Sequence, residues 1–155
     1  SGSGTIAARI DADGLKFGAD TAEVNALDDY EEGTATLTMS AVSAAPTITE
    51  GNTFTIAYTK IGNLVRFVGY TGTRTITNIG SGAAKFTGLP FAQVGSYYGQ
   101  VTFSHSTVFN GNAPTGYIES GSTYFYAINM SSTTSPAYQS GARYVMVQGF
   151  YHTNL

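Results

Sequence analysis

The chain has 155 residues, enough for one domain that buries about 68–70% of the surface its unfolded chain exposes. Only 11% of the residues are charged and none is cysteine, which excludes a disulfide framework and a thiolate metal site. The net charge is −3, and the five bases after residue 50 form neither a stripe nor a cluster, which argues against nucleic-acid binding.

The N-terminal part is predicted to be a lead-in to the main domain. Residues 1–4 (SGSG) resemble a tag or linker remnant, and residues 5–33 have scattered apolar side chains without a long helical or strand period. The tetrapeptide DADG at 11–14 is similar to the start of a calcium loop, but the later oxygen ligands and the closing glutamate are missing. We therefore expect no metal site in this segment.

Four carboxylates are concentrated within five positions of the lead-in. Val24, Leu27 and Tyr30 have the spacing of one face of a short helix, which would end at Gly33. Glycoside hydrolysis requires two carboxyl groups held about 5–9.5 Å apart across a sugar, and adjacent acids in a polar segment do not match that geometry. This acidic string is therefore predicted to have a structural role. Its acids are Asp28, Asp29, Glu31 and Glu32.

From residue 34 onward, apolar and polar residues alternate with the period of two that is typical of β-strands. The segment 52–70 predicts a hairpin, because two alternating runs flank Gly62-Asn63, whose residue types suit the positive φ of a tight turn. The fold class is therefore all-β over a head of residues 34–155, as a jelly-roll-like antiparallel sandwich or a barrel. With the hairpin, about nine strands are predicted, and the others lie at 34–39, 73–79, 84–88, 98–105, 116–120, 122–130 and 143–152.

Two of the predicted strands, 122–130 and 143–152, carry large side chains on both faces. An antiparallel strand with one face in water should alternate apolar and polar residues. We therefore expect a second surface to cover one face, and a subunit interface is the economical candidate. The alternative is that tyrosines with free hydroxyls lie at the surface. In the second strand the two sets are Tyr144, Met146 and Phe150 against Val145, Val147 and Tyr151.

The domain offers no recognisable catalytic constellation. Glu119 is the one acid after residue 50, so a paired-carboxylate hydrolase finds no second partner in the body of the domain. His105 and His152 are far apart in sequence, and no serine lies in a G-x-S-x-G elbow. We therefore predict a protein that is not an enzyme and that uses no cofactor.

Exposed aromatic and amide side chains are the remaining candidates for function. Flat apolar rings contact the C–H face of a sugar, and amide groups bind its hydroxyls. The alternative is that aromatic residues near strand ends belong to the core. The predicted binding residues are Tyr97, Tyr98, Phe109, Asn110, Asn112, Tyr117 and Tyr138.

Three motifs resemble marks of the C-terminal domains of tailed-bacteriophage tail-fibre and receptor-binding proteins. They are GLKFGADTAEVNALDDYEEGT at 14–34, YTKIGNLV at 58–65 and GLPF at 88–91, in the order expected for that family. The resemblance implies a homotrimeric, jelly-roll-like head at the tip of a tail fibre, joined to the rest of the fibre and located in the virion. It also implies adsorption to a host-cell surface glycan or outer-membrane protein. The spread of charge already argues against a nucleic-acid partner, and no window approaches 18 consecutive apolar residues, so we expect no membrane insertion. We expect loops far from the acidic string to bind.

In this family the acidic string links the fibre stem to the head, so the resemblance implies a structural joint. We expect Leu27 and Tyr30 to anchor inward, while the acids are exposed or bond to backbone amides and to bases such as Arg66 or Arg74. The family often has Trp and then Thr-Pro after the string, where this chain has Ala35 and Thr36-Leu37, so contacts of that Trp are not transferred. The joint residues are Leu27, Asp28, Asp29, Tyr30, Glu31 and Glu32.

Two other functions stay open at this point. A structural trimerisation cap or virion decoration domain would assemble without touching host cells. A polysaccharide-degrading tailspike would release new reducing ends from the host capsule, although the shortage of carboxylates speaks against it.

Overall fold

The computed structural model describes residues 7–12, 14–22, 29–110, 114–129 and 135–154. Within them the chain forms strands and no helix, which confirms the all-β prediction. This part of the chain accordingly holds no helix that could cross a lipid bilayer. The strands are β1 (Ala8–Asp11), β2 (Gly14–Phe17), β3 (Tyr30–Ala41), β4 (Thr47–Ile48), β5 (Thr53–Ile61), β6 (Leu64–Tyr70), β7 (Arg74–Asn78), β8 (Ala84–Thr87), β9 (Gly99–Ser106), β10 (Pro114–Ile118), β11 (Tyr124–Asn129), β12 (Gly141–Arg143) and β13 (Val145–His152).

Eight of the strands close into an antiparallel barrel. Their order is β10, β11, β8, β3, β5, β6, β13, β9, and β9 pairs again with β10. The β5–β6 hairpin turns at Gly62 and Asn63 as predicted, and Gly62 has a φ of 55°. All nine predicted strands are present. Four short strands of two to four residues are not predicted by the sequence pattern: β1, β2, β4 and β12.

The connections give the barrel two distinct ends. At one end, which we call the joint end, lie the start of β3, the β5–β6 turn and the segment 88–98 between β8 and β9. At the other end lies a three-stranded sheet in the order β12, β7, β4. Its strands belong to connecting segments: β4 follows β3, β7 follows β6, and β12 follows β11. The segments that carry Phe109 and Tyr138 also lie at this other end.

Inward-facing glycines make room for large rings inside the barrel. An eight-stranded barrel is just wide enough for side chains to fill its interior. The core centres on Phe86, whose ring stacks on that of Phe125 at a centroid distance of 4.9 Å. Gly149 on β13 lies opposite Phe67 on β6, and a Cβ atom at Gly149 would come within 2.7 Å of the Phe67 ring. The aromatic core therefore depends on small residues in the facing strands.

The N-terminal strands β1 and β2 form a hairpin of their own. Asp11 ends β1 and Gly14 begins β2, and Asp11 forms ion pairs with Arg9 at 2.9 Å and with Lys16 at 3.2 Å. The segment that is similar to the start of a calcium loop is therefore part of a hairpin.

The predicted short helix ending at Gly33 is wrong, because β3 begins at Tyr30. Residues 23–28, which hold the start of that helix, lie outside the described part of the chain. A strand sends successive side chains to opposite sides, so Glu31 and Glu32 reach different partners. A helix would instead have crowded both acids at its C-terminus, where the helix dipole opposes negative charge. The predicted boundary between lead-in and head falls inside β3.

Candidate functional site

The three motifs that carry the family resemblance meet in one cluster of contacts at the joint end of the barrel. Asp29 forms an ion pair with Lys60, and Glu31 accepts a hydrogen bond from the Tyr58 hydroxyl. The Phe91 ring packs edge-on against Tyr58 at a centroid distance of 5.5 Å and lies 5.8 Å from the Lys60 ammonium. We call these five residues the joint cluster. The acidic string, YTKIGNLV and GLPF therefore form one structural unit.

Charge pairing holds the joint cluster together. Lys60 is only 4% exposed, so its ammonium needs a counter-charge, which Asp29 supplies. A backbone link reinforces the pair, since the amide of Gly62 donates to the carbonyl of Asp29 at 2.8 Å. The predicted bases are not the partners of Asp29: Arg74 donates instead to backbone carbonyls, and Arg66 lies on the outer wall.

The remaining joint residues lie on the outer face of β3 or outside the described chain. Tyr30 is 60% exposed, so it does not anchor inward within a single chain. Its hydroxyl donates to the Glu32 carboxylate at 2.5 Å, which orients both side chains on the outer wall. Leu27 and Asp28 lie outside the described residues. Within the acidic string, the side chains of Asp29 and Glu31 therefore point to the joint end of the barrel, and that of Glu32 points to the outer wall.

Two of the predicted binding residues belong to the core. Phe109 and Tyr138 are buried, form an isolated β-bridge and stack at a ring distance of 5.9 Å. The Phe109 ring also lies 5.0 Å from that of Phe103, and the Tyr138 hydroxyl donates to the carbonyl of Lys85 at 3.3 Å. Neither side chain can contact a receptor, because the connecting segments that carry them fold into the core. The prediction for both residues is corrected accordingly.

Three further predicted residues do not share one surface. Tyr97 is exposed and lines a concavity of about 290 Å³ with Asn63 and His152. Asn110 is exposed in the connection after β9, at the other end of the barrel from Tyr97. Asn112 lies outside the described residues.

Tyr98 and Tyr117, by contrast, come together with two more tyrosines on the outer wall formed by β8, β10 and β11. Tyr117 on β10 lies opposite Tyr126 on β11, with ring centroids 5.6 Å apart. Tyr98 packs edge-on against Tyr117 at 5.8 Å, and Tyr124 packs edge-on against Tyr126 at 5.3 Å. We call these four residues the tyrosine face. Tyr98 remains 64% exposed, and the other three are half-buried.

One cation and one anion border the tyrosine face. Lys85 on β8 holds its ammonium 3.6 Å from the ring centroid of Tyr124, and Glu119 accepts a hydrogen bond of 3.1 Å from the Tyr124 hydroxyl. A partly exposed cation–π contact stabilises by about 0.5–1 kcal/mol, so Lys85 helps to fix the rings. Burial, and then the hydrogen bond with Tyr124, raises the pKa of Tyr126 to about 12. Its phenol is therefore a neutral donor near pH 7.

The tyrosine face has the chemistry of a sugar-binding surface. The rings offer apolar contact to sugar C–H groups, while the phenols, Lys85 and Glu119 supply hydrogen-bond donors and acceptors. Sequence reasoning found two of the four tyrosines and missed the others as binding residues. Tyr124 and Tyr126 alternate on one strand face, a signal that was interpreted as a subunit interface. The sequence gives no sign that Lys85 belongs to this surface, because β8 and β11 are adjacent in the barrel but not consecutive along the chain.

The opposite outer wall, on β6 and β13, carries five apolar or aromatic side chains interspersed with Arg66, Gln148 and His152. In the barrel order β6 is four strands from β11, and β13 is four strands from β8. The prediction of two large-residue faces on β13 is confirmed, since Val147 and Tyr151 are buried while Met146 and Phe150 point outward. We call the outward side chains here the apolar face. They are Val68, which is half-buried, and Leu64, Tyr70, Met146 and Phe150, which are 38% to 50% exposed.

Comparison with family models, with curated proteins and with solved structures gave no match for this chain. The family resemblance therefore rests on the three motifs themselves. Among the described residues, no group of three or more His, Asp or Glu side chains is placed to hold a metal ion.

Proposed function

We propose that the chain is the receptor-binding head of a tail fibre from a tailed bacteriophage, and that it attaches the virion to a glycan on the host-cell surface. The joint cluster carries the proposal. Three motifs separated along the chain meet there through an ion pair, a hydrogen bond and ring packing. The resemblance thus extends from three short strings to one structural unit.

The tyrosine face supports a glycan as the receptor class. Ring packing between β10 and β11 and along β11 already orders Tyr117, Tyr124 and Tyr126, so little side-chain entropy is lost when a ligand binds. Lys85 and Glu119 add one charge of each sign, which suits a polar ligand with many hydroxyls. This surface lies on the side of the barrel, nearer the joint end than the loops expected to bind. The receptor therefore approaches the flank of the head.

Trimerisation would strengthen attachment, because three weak sites on one fibre act together with avidity. The apolar face is a specific observation in favour of assembly, and it fits a structural cap as well as a receptor-binding head. The two functions differ in the tyrosine face, which a structural cap would leave without a ligand. We take the receptor-binding head as the proposed function and propose no enzymatic activity.

Adsorption competition tests the proposal. The purified protein should block adsorption of its phage to host cells, and Tyr98→Ala and Tyr117→Ala should each weaken binding to those cells about tenfold, equivalent to about 1.4 kcal/mol. Tyr97→Ala is the matched control, because Tyr97 is exposed beside Tyr98 but lies outside the tyrosine face. A glycan array then identifies the sugar and separates a glycan from an outer-membrane protein. A folded protein that neither binds host cells nor blocks adsorption refutes the proposed function.

A further inference from the structure

The apolar face has room for a partner, and polar side chains lie among its apolar ones, since Gln148 is opposite Val68 and Arg66 is opposite Phe150. Met146 lies opposite Tyr70 in the β6–β13 pairing, so the large side chains of the two strands adjoin. A concavity of about 380 Å³ lies between Tyr70, Val68 and Met146, and a second of about 170 Å³ lies beside Phe150. Exposed apolar side chains bordered by polar ones mark interaction sites on protein surfaces.

Arg66 indicates what the partner must supply. It lies opposite Phe150 in the middle of the apolar face, where it lines the concavity of about 170 Å³ and a further one of about 90 Å³ beside β5. Among the described residues Arg66 forms neither an ion pair nor a side-chain hydrogen bond, and the outward positions of β6 and β13 hold no carboxylate. A guanidinium that loses its water at an interface needs a hydrogen-bonded carboxylate. The partner should therefore bring an acid to this position.

The outer wall of β3 in the same chain has the complementary features. Tyr30 and Glu32 project from it, and Tyr30 is one of the most exposed large side chains of the domain. Glu32, Thr59 and Arg66 lie in one row across β3, β5 and β6, so an isologous contact centred on Thr59 would also pair Glu32 with Arg66, but it would give a dimer and no ring. A heterologous contact, in which the apolar face of one copy meets β3 of the next, supplies Glu32 together with the Tyr30 ring.

We propose that the apolar face is covered by the β3 wall of a neighbouring copy of this chain, with Arg66 paired to Glu32 of that copy. A heterologous contact repeated around an axis closes into a ring when its rotation closes. That the ring has three copies rests on the proposed function. In a closed ring the same interaction would cover the outer walls of β3 and of β6–β13 in every copy.

Charge reversal combined with light scattering tests the interface. The wild-type protein should have three times the 16.2 kDa mass of one chain. Arg66→Glu and Glu32→Arg should each raise the dissociation constant of the assembly at least about tenfold, and the combined variant should restore assembly because the pair is rebuilt in reverse. Phe150→Glu should also dissociate the ring. Ile79→Glu is the control, since Ile79 is 42% exposed but follows β7, outside both walls. Circular dichroism confirms that each variant is folded.

The outcomes separate the interface from the proposed function. A wild-type mass of one chain, or single charge reversals that leave the mass unchanged, overturns the proposed interface. A single-chain protein that still blocks phage adsorption would overturn the proposed interface but leave the receptor-binding proposal intact. An assembly that follows the charge pattern but never binds host cells supports the interface and removes the receptor-binding proposal.

Discussion

Gly69 on β6 provides a sharp test of how the barrel wall is packed. It lies opposite Ile56 on β5, and a Cβ atom at Gly69 would come within 2.5 Å of the Ile56 Cγ2 methyl and 3.3 Å of the Phe54 ring. Alanine normally stabilises a strand position over glycine by roughly 0.5–1 kcal/mol. Overpacking a filled core costs typically about 1–3 kcal/mol, so we expect Gly69→Ala to lose about 1–2 kcal/mol net. For a chain of this size the Tm should fall by roughly 2–8 °C.

A double-mutant cycle with Ile56 assigns this loss to the contact. Urea unfolding gives the free energy of each variant, and Ile56→Ala alone should cost about 2–5 kcal/mol through the cavity it leaves. The double variant Gly69→Ala/Ile56→Ala should cost at least about 1 kcal/mol less than the two losses added together, because the new methyl group enters that cavity. A Gly69→Ala protein that is more stable than the wild type, or losses that simply add, would refute the packing argument.

Three further predictions concern charge, pH and the core. Asp29→Ala should cost about 1–3 kcal/mol in urea unfolding, because Lys60 is left buried without a counter-charge, and Asp29→Ala/Lys60→Met should recover part of the loss. Burial raises the pKa of Tyr126 from 10.0 to about 12, so the folded state holds this proton more tightly than the unfolded state does. Thermal unfolding should therefore show full stability below pH 10 and a decline in stability from pH 10 toward pH 12. The Tyr126→Phe variant should show a smaller decline. Tyr138→Ala should cost about 3–5 kcal/mol, whereas exposed Tyr97→Ala should change stability by less than about 0.5 kcal/mol; equal effects would contradict the core position of Tyr138.

The local pattern of the sequence predicts where the strands of the barrel lie along the chain, but not which strands pair with each other. The hairpin around Gly62 was visible because its two alternating runs and its turn are adjacent in sequence. The start of β3 was misassigned, because a spacing of three fits one helical face even where Tyr30 pairs with Ile61 in a strand. For Phe109 and Tyr138 the sequence leaves a binding role and a core position open, because alternation says nothing about connecting segments that fold into a core.

The site could be predicted only in part, because it depends on contacts between distant parts of the chain. Tyr117 and Tyr126 face each other through the β10–β11 register, and Lys85 reaches the tyrosines because β8 inserts between β3 and β11. Neither the order of strands in a barrel nor their register follows from composition or period. The resemblance predicts a joint at residues 27–32 only, and the contacts of Asp29 with Lys60 and of Glu31 with Tyr58 follow from the β3–β5 geometry.

The position of the tyrosine face across the barrel from the apolar face limits what a threefold assembly could hold at once. If the β3 wall and the apolar face of neighbouring copies meet around the symmetry axis as proposed, the three tyrosine faces point away from the axis, at about 120° to one another. A rigid, flat array of receptors could then contact one of the three tyrosine faces, or two of them at a shallow angle. A deep layer of flexible polysaccharide chains could wrap all three, so this geometry suits a head that sinks into a host's sugar coat better than one that lands on a level surface.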